Sequence, residues 1–299
     1  MIALKTNLSV LLAITLLLPS CTWFSSDIQK IDSLAQAEQE LNKATPNTLV
    51  VFDMDQTLMN PTEQLFEVMF RPITEFDLAD RTFLMHLRKK YPEVAQGHDS
   101  TRRIQFLSAL FAKMAFTPVE KITVPLISAL QARGVKVIAL TSINTGTFGS
   151  IKSMQEWRLC NLHQLGLDFS TSFVQQEIEF TNLPKEYGFY PVFYHGIICA
   201  ALNLKGPMLA AFLECIDWRP TNILFFDDHK EQCESVAHEM KKLGIPTISY
   251  WYRAAYLNKI KLDQQTIQRQ IDYWAAHKVF LSSQEISKTA SANNPQIQL

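Results

Sequence analysis

Glycine is scarce in this 299-residue chain, at 9 residues, and proline is ordinary at 13. Those counts exclude a collagen-like repeat and a chain dominated by flexible linkers. Neither sign of charge is in excess: 28 Lys and Arg stand against 29 Asp and Glu, a formal net charge of −1. Phosphate backbones and anionic membranes select clustered positive excess, so a nucleic-acid partner or a polybasic membrane contact has no electrostatic support. The five cysteines contain no Cys-x-x-Cys pair, which leaves a zinc ribbon or a thioredoxin-type site without support. What is present is apolar mass. Hydrophobic residues make up 47% of the chain and charged residues 19%, enough for a sizeable core and too little polarity for a disordered chain.

The N-terminal apolar stretch, Leu8 to Leu18, is preceded by Lys5 and followed by Pro19-Ser20-Cys21. At about 1.5 Å per helical residue it reaches only about half of a bilayer core of about 30 Å, so it reads as a signal-peptide core and not as a span. Leu18-Pro19-Ser20-Cys21 resembles a bacterial lipobox, which implies cleavage before Cys21, acylation of its sulfur and a soluble domain tethered to a membrane of the cell envelope, with the outer membrane expected. The remaining four cysteines, Cys160, Cys199, Cys215 and Cys233, are compatible with two disulfides in an exported protein or, the preferred reading, with free thiols in a core that needs no staples.

Past this leader, residues 1–20, the segment 21–45 is expected to hold the tether and an amphipathic helix, with Ile28, Ile31, Leu34 and Leu41 near one face. Leu49-Val50-Val51-Phe52 is a short continuous apolar run that ends abruptly in Asp53, the pattern of a strand buried on both faces. The pattern recurs at Val135–Leu140, Asn222–Phe226 and Pro246–Tyr250, with helices expected at 119–132 and 230–243. Strands alternating with helices predict a doubly wound α/β domain, with ligands outside the carboxyl ends of the strands. Residues 61–115 read as helical, broken at Pro72 and Pro92, and predict a cap inserted directly after the first of these strands. Residues 183–204 suit a hairpin. From 282 to 299 no apolar period remains, and that tail is expected to be disordered. The core is therefore expected at 46–60 and 116–281.

Four fragments fall at strand ends or helix starts: Asp53-Met-Asp55-Gln-Thr57, Ala139-Leu140-Thr141-Ser142, Lys205-Gly206-Pro207 and Phe226-Asp227-Asp228. As an ordered set they resemble the motifs of the haloacid dehalogenase (HAD) superfamily of phosphatases and phosphotransferases, over about residues 46–60 and 117–252. The resemblance implies a Rossmann-like parallel sheet, Asp53 as nucleophile and Asp55 as general acid and later base. Thr141 is implied to hold a phosphoryl oxygen, with Ser142 competing for that role, and Lys205 to neutralise the phosphate. It further implies Mg²⁺ held by Asp53, Asp55 through its main-chain carbonyl, Asp227 and Asp228. Elementary electrostatics agrees, since like charges about 4 Å apart repel by about 4 kcal/mol at an effective dielectric of 20, so the acids need a cation or a proton.

The lipobox and the paired acids are similar to secreted bacterial acid phosphatases, but Gln56 stands where an acidic residue is usual and Phe226-Asp-Asp-His-Lys replaces a Gly-Asp-Asn form. The segments look closer to an HAD-like branch of intracellular bacteria. The expected function is a magnesium-dependent hydrolase of a small phosphomonoester. The alternative is a catalytically weak surface lipoprotein that keeps the fold as a binding module. His229 and His238 read as solvated helix residues and Trp251-Tyr252 as packing. Arg88, Lys89, Lys90, Arg102 and Arg103 read as a solvated face, with contact to an anionic substrate as the competing role.

Overall fold

The computed structural model describes residues 28–94, 101–257 and 261–292. The expected leader with Lys5 and the Leu8–Leu18 stretch, and Cys21, lie outside the described residues. The chain is a mixed α/β protein around an eight-stranded, mostly parallel sheet.

In chain order, β1 (Ile28–Ile31) and α1 (Glu38–Lys43) precede β2 (Thr48–Phe52), the strand expected from the first apolar run. A segment then leaves the sheet through β3 (Met59–Pro61), α2 (Gln64–Phe70), α3 (Leu78–Lys90) and α4 (Thr101–Phe111), and returns through β4 (Phe116–Pro118). α5 (Thr123–Ala132), β5 (Lys136–Thr141) and α6 (Met154–Gln164) follow. Next come β6 (Glu177–Glu179), β7 (Val192–Tyr194) and β8 (Ile197–Cys199). α7 (Lys205–Cys215), β9 (Asn222–Asp227), α8 (Lys230–Lys242) and β10 (Thr247–Tyr252) complete the sheet. α9 (Gln264–His277) and α10 (Ser283–Ala292) close the described chain.

The sheet order is β1-β10-β9-β2-β5-β8-β7-β6, parallel from β1 to β8 and antiparallel for β7 and β6. β2, β5 and β9 are apolar without alternation because both faces are covered. Val50, Phe52, Val137, Ala139, Leu224 and Phe226 belong to one apolar cluster, and their neighbours Leu49, Val51, Ile138, Leu140, Ile223 and Phe225 to the other. α7 and α8 cover the second face through Leu209, Phe212, Val236 and Met240. On the first face, Phe52, Phe226 and Tyr250 stack across adjacent strands with ring centroids 4.7 Å apart at each step.

The excursion expected at 61–115 is helical, with α2 ending before Pro72 and α3 before Pro92. Its two ends pair as the antiparallel ribbon β3–β4, Asn60 opposite Thr117, so the helices leave and rejoin the sheet at one place. α9 packs on this segment, with Phe106 edge-on to Trp274 at 4.7 Å.

Two expectations fail. Within 21–45, residues 28–31 are not helical but form β1, the edge strand running parallel to β10 with Ile28 opposite Ser249. The Ile28–Ile31 spacing suits a helix face, but the unpaired edge of β10 supplies a ladder of backbone partners that outweighs it. The tail is the second. Ser283–Ala292 is helical, because the Ser283 backbone N–H and hydroxyl donate to the buried Glu63 carboxylate and Ile286 is buried. One apolar anchor and one cap leave no period to read; residues 293–299 lie outside the described part. Cys160, Cys199, Cys215 and Cys233 are all free thiols, as preferred.

Candidate functional site

Because β9, β2 and β5 are adjacent and parallel, their carboxyl ends share one edge of the sheet. Asp227 is the last residue of β9, Thr141 the last of β5, and Asp53 follows β2 directly, its N–H still donating to Phe226 O at 2.8 Å. Lys205 opens α7 and is buried, with Nζ against Asp53 Oδ1 and 2.6 Å from Asp227 Oδ2. Gly206 lets α7 approach α8 there: a Cβ would stand 2.2 Å from the Ser235 carbonyl oxygen.

Asp53, Asp227 and Asp228 each present a carboxylate oxygen, all within 4.8 Å of one another, and all three residues are buried. Burial pushes the Asp53 carboxyl above its ordinary range, with Lys205 opposing and Asp227 adding to the rise. Asp228 is pushed well up, by burial first and then by Asp53 and Asp227. Burial disfavours the Lys205 ammonium, yet Asp227 and Asp53 outweigh that and hold its pKa above the usual value. Three acids around one ammonium leave the cluster net negative when ionised.

A cavity of about 340 Å³ opens onto this cluster. Thr141 is buried on its wall, Ser142 is exposed there, and Phe66 and Phe111 from the helical excursion also line it. A larger open groove of about 680 Å³ beside α7 and α8 carries none of the converging residues. The Asp55 side chain does not join Asp53, Asp227 and Asp228; its Oδ2 accepts from Arg158 Nη2. Burial raises the Asp55 pKa and Arg158 opposes the rise.

Sequence reading missed Arg158 and Tyr256. Arg158 lies in the interior of α6 beside Trp157 and Leu159, 103 positions from Asp55, with no local signature. The Tyr256 hydroxyl stands 2.5 Å from Asp228 Oδ2 and also against Gln56 Oε1, so its single proton serves one of them at a time. Gln56 is left-handed at φ 60° and its Nε2 donates to Glu67 Oε2 at 2.9 Å, which ties the strand end to α2. The amide therefore occupies a built position.

His229 caps α8 with its backbone N–H on Asp227 Oδ1 at 2.8 Å; its ring lines the cavity, 3.6 Å from Asp228 Oδ2. Its side chain is 57% exposed, so both His229 and His238 are solvated residues of α8 and its start, as expected. Trp251 packs as expected, donating from Nε1 to Asp228 O at 2.9 Å. The basic residues of the excursion do not reach the cavity. Arg88 donates to Val68 O at 2.8 Å, Arg103 to Glu93 O at 2.8 Å, and Arg102 pairs with Glu93. Lys89 and Lys90 are exposed. Arg102 keeps a solvated side chain at 53% exposure, as expected, whereas Arg88 is half-buried and Arg103 buried, and their donors brace the excursion itself.

The family model described as "Protein of unknown function (DUF2608)" matches residues 30–287. The chain belongs to this family. The DUF2608 match runs from β1 into α10 and so takes in the sheet, the excursion and the site together. A Rickettsia felis protein described as uncharacterized is 29% identical over 139 residues, which are 42% of this chain and 47% of that protein. The chain thus spans about half the length of this relative.

Proposed function

We propose that this chain is a HAD-type, magnesium-dependent phosphomonoester hydrolase that works through an aspartyl phosphate. The observation that carries the reading is the meeting of Asp53, Asp227, Asp228, Lys205 and Thr141 at the carboxyl ends of three adjacent parallel strands and the start of α7. The helical excursion between β2 and β5 has the place of a cap. The donor set suits a hard divalent cation, since it is all carboxylate oxygen and keeps net negative charge after Lys205 is counted. Asp53, Asp227 and Asp228 would hold Mg²⁺, which when bound neutralises charge on the transferring phosphoryl group.

The protein's own groups account for the rest. Asp53 attacks phosphorus as the carboxylate, oriented by Lys205 on Oδ1. Asp55 gives its proton to the leaving oxygen, then takes one from the water that attacks the phosphoaspartate. Thr141 and Lys205 bind phosphoryl oxygens. Phe66 and Phe111 exclude water from one side of the cavity. Cleavage before Cys21 and lipid anchoring in the cell envelope are part of the proposal on the lipobox resemblance alone.

The test is a panel of phosphomonoesters with the purified protein, with and without Mg²⁺. Turnover that needs Mg²⁺ and falls by about 10³-fold or more in Asp53→Asn supports the reading. Equal activity in Asp53→Asn removes the proposed nucleophile. If no ester is turned over and small phosphates still bind without Asp53, the chain is a binding module.

A further inference from the structure

Arg158 differs from the other arginines at element junctions in what its nitrogens do. Arg71, Arg88, Arg103 and Arg133 each donate to a backbone carbonyl, at Ala255, Val68, Glu93 and Leu41, and so join segments of the chain. The Arg158 side chain is 1% exposed, yet its hydrogen bond goes to Asp55 Oδ2 alone. Among the described residues Nε and Nη1 have no acceptor. Ring faces hold the guanidinium in place: its carbon lies 4.5 Å from the Trp157 ring centroid and 5.9 Å from that of Phe116. A buried cation with donors left unused is a poor stabilising device, since its desolvation is offset by one partner only. The arrangement instead serves the partner. Lys205, the other buried cation on the cavity wall, is engaged by Asp53 and Asp227.

The effect on Asp55 follows from the chemistry of the pair. A guanidinium has donors and no acceptor, so the oxygen it holds cannot direct a proton toward it. Oδ2 is that oxygen; Oδ1 is buried and without a hydrogen-bond partner among the described residues, while the side chain as a whole keeps 27% exposure at the cavity wall. Resting on the phosphatase reading above, we propose that Arg158 is the positioning residue of the general acid. It fixes the orientation of the Asp55 carboxyl through Oδ2 and so holds the group at the cavity wall for proton transfer. In the first half-reaction the O–H bond of the Asp55 carboxyl breaks and its proton goes to the leaving oxygen, which keeps the electron pair of the breaking P–O bond. In the second, water loses a proton to the Asp55 carboxylate as its oxygen bonds to phosphorus and the P–O bond to Asp53 breaks.

The readout must separate positioning from packing, because removing one partner of a buried ion pair destabilises in either case. Leaving-group dependence does so. 4-Nitrophenyl phosphate departs with little need of a proton, whereas phenyl phosphate, nearly the same shape, needs one. Protonation by a placed acid contributes about 10²–10⁴-fold, so Arg158→Met should lower kcat for phenyl phosphate at least about tenfold more than for 4-nitrophenyl phosphate, with KM little changed. Arg158→Lys, which keeps one donor, should recover part of the phenyl phosphate rate and preserves the comparison if the Met variant does not fold. In an Asp55→Asn background the Arg158 change should have no further effect on the ratio. An equal loss for the two esters, with wild type active, overturns the assignment and leaves the phosphatase reading standing. Full additivity with Asp55→Asn does the same. If wild type turns over neither ester with Mg²⁺, both fall together.

Discussion

Asp53 and Asp228 carry the electrostatic cost of the site, and that cost has a sign that can be measured. Burial first, and then the neighbouring carboxylates, raise both pKa values in the folded chain above their unfolded values. Between the ordinary carboxylate range and those raised values, the folded state binds more protons than the unfolded state. Stability of the metal-free protein should therefore fall as pH rises through that window, the reverse of a carboxylate whose folded pKa is depressed. Thermal unfolding with a chelator present, compared from mildly acidic to neutral pH, checks this. Adding Mg²⁺ at neutral pH should restore the loss, by about 2.7 kcal/mol at a concentration 100 times its dissociation constant. A metal-free midpoint that rises steadily toward neutrality would count against the cluster as described. Two of the residues that define the site, Arg158 and Tyr256, have no local signal. Their partners are 103 and 28 positions away, distances at which spacing rules carry no information.

At the scale of elements, the helical excursion was legible because the segment reads as helical and two prolines, Pro72 and Pro92, punctuate it. Its buried arginine was not. Arg102 and Arg103 read as an outward face, and Arg102 is exposed as expected, but Arg103 is buried and donates to the backbone of Glu93 in the turn before α4. Arg103→Ala should lower stability by about 1–3 kcal/mol, the cost of a buried acceptor left unsatisfied, and should reduce hydrogen-exchange protection in α4. KM for phosphomonoesters should stay nearly constant, because the side chain does not line the cavity. A several-fold rise in KM with stability unchanged would return Arg103 to substrate contact. β1 and α10 teach the same lesson from the other side. Each is weakly patterned, and each forms because a distant element presents it with backbone or carboxylate partners.

For the whole molecule, the family match and the described fold share nearly the same limits, residues 30–287 against 28–292. Residues 1–20 and Cys21 stand ahead of both. If Cys21 is the acylated N-terminus, a fatty-acid analogue should label wild type in a bacterial host and leave Cys21→Ala unlabelled. Equal labelling of the two would remove the lipid anchor while leaving the site untouched. Among the described residues no helix is long and apolar enough to cross a membrane.

The amino-acid sequence by itself determined the parallel strands of the centre, the helical excursion and the four motifs, because each is written in contiguous residues. A strand buried on both faces must be apolar throughout, and Asp53, Thr141 and Asp227 lie where those runs stop. Only the tertiary structure decided which acids meet and which cations they receive. Strand order places β9, β2 and β5 side by side, α7 delivers Lys205 between Asp53 and Asp227, and α6 delivers Arg158 to Asp55. Charge pairing depends on distances of a few ångströms across segments far apart in the chain, and packing of the sheet and its helices sets those distances.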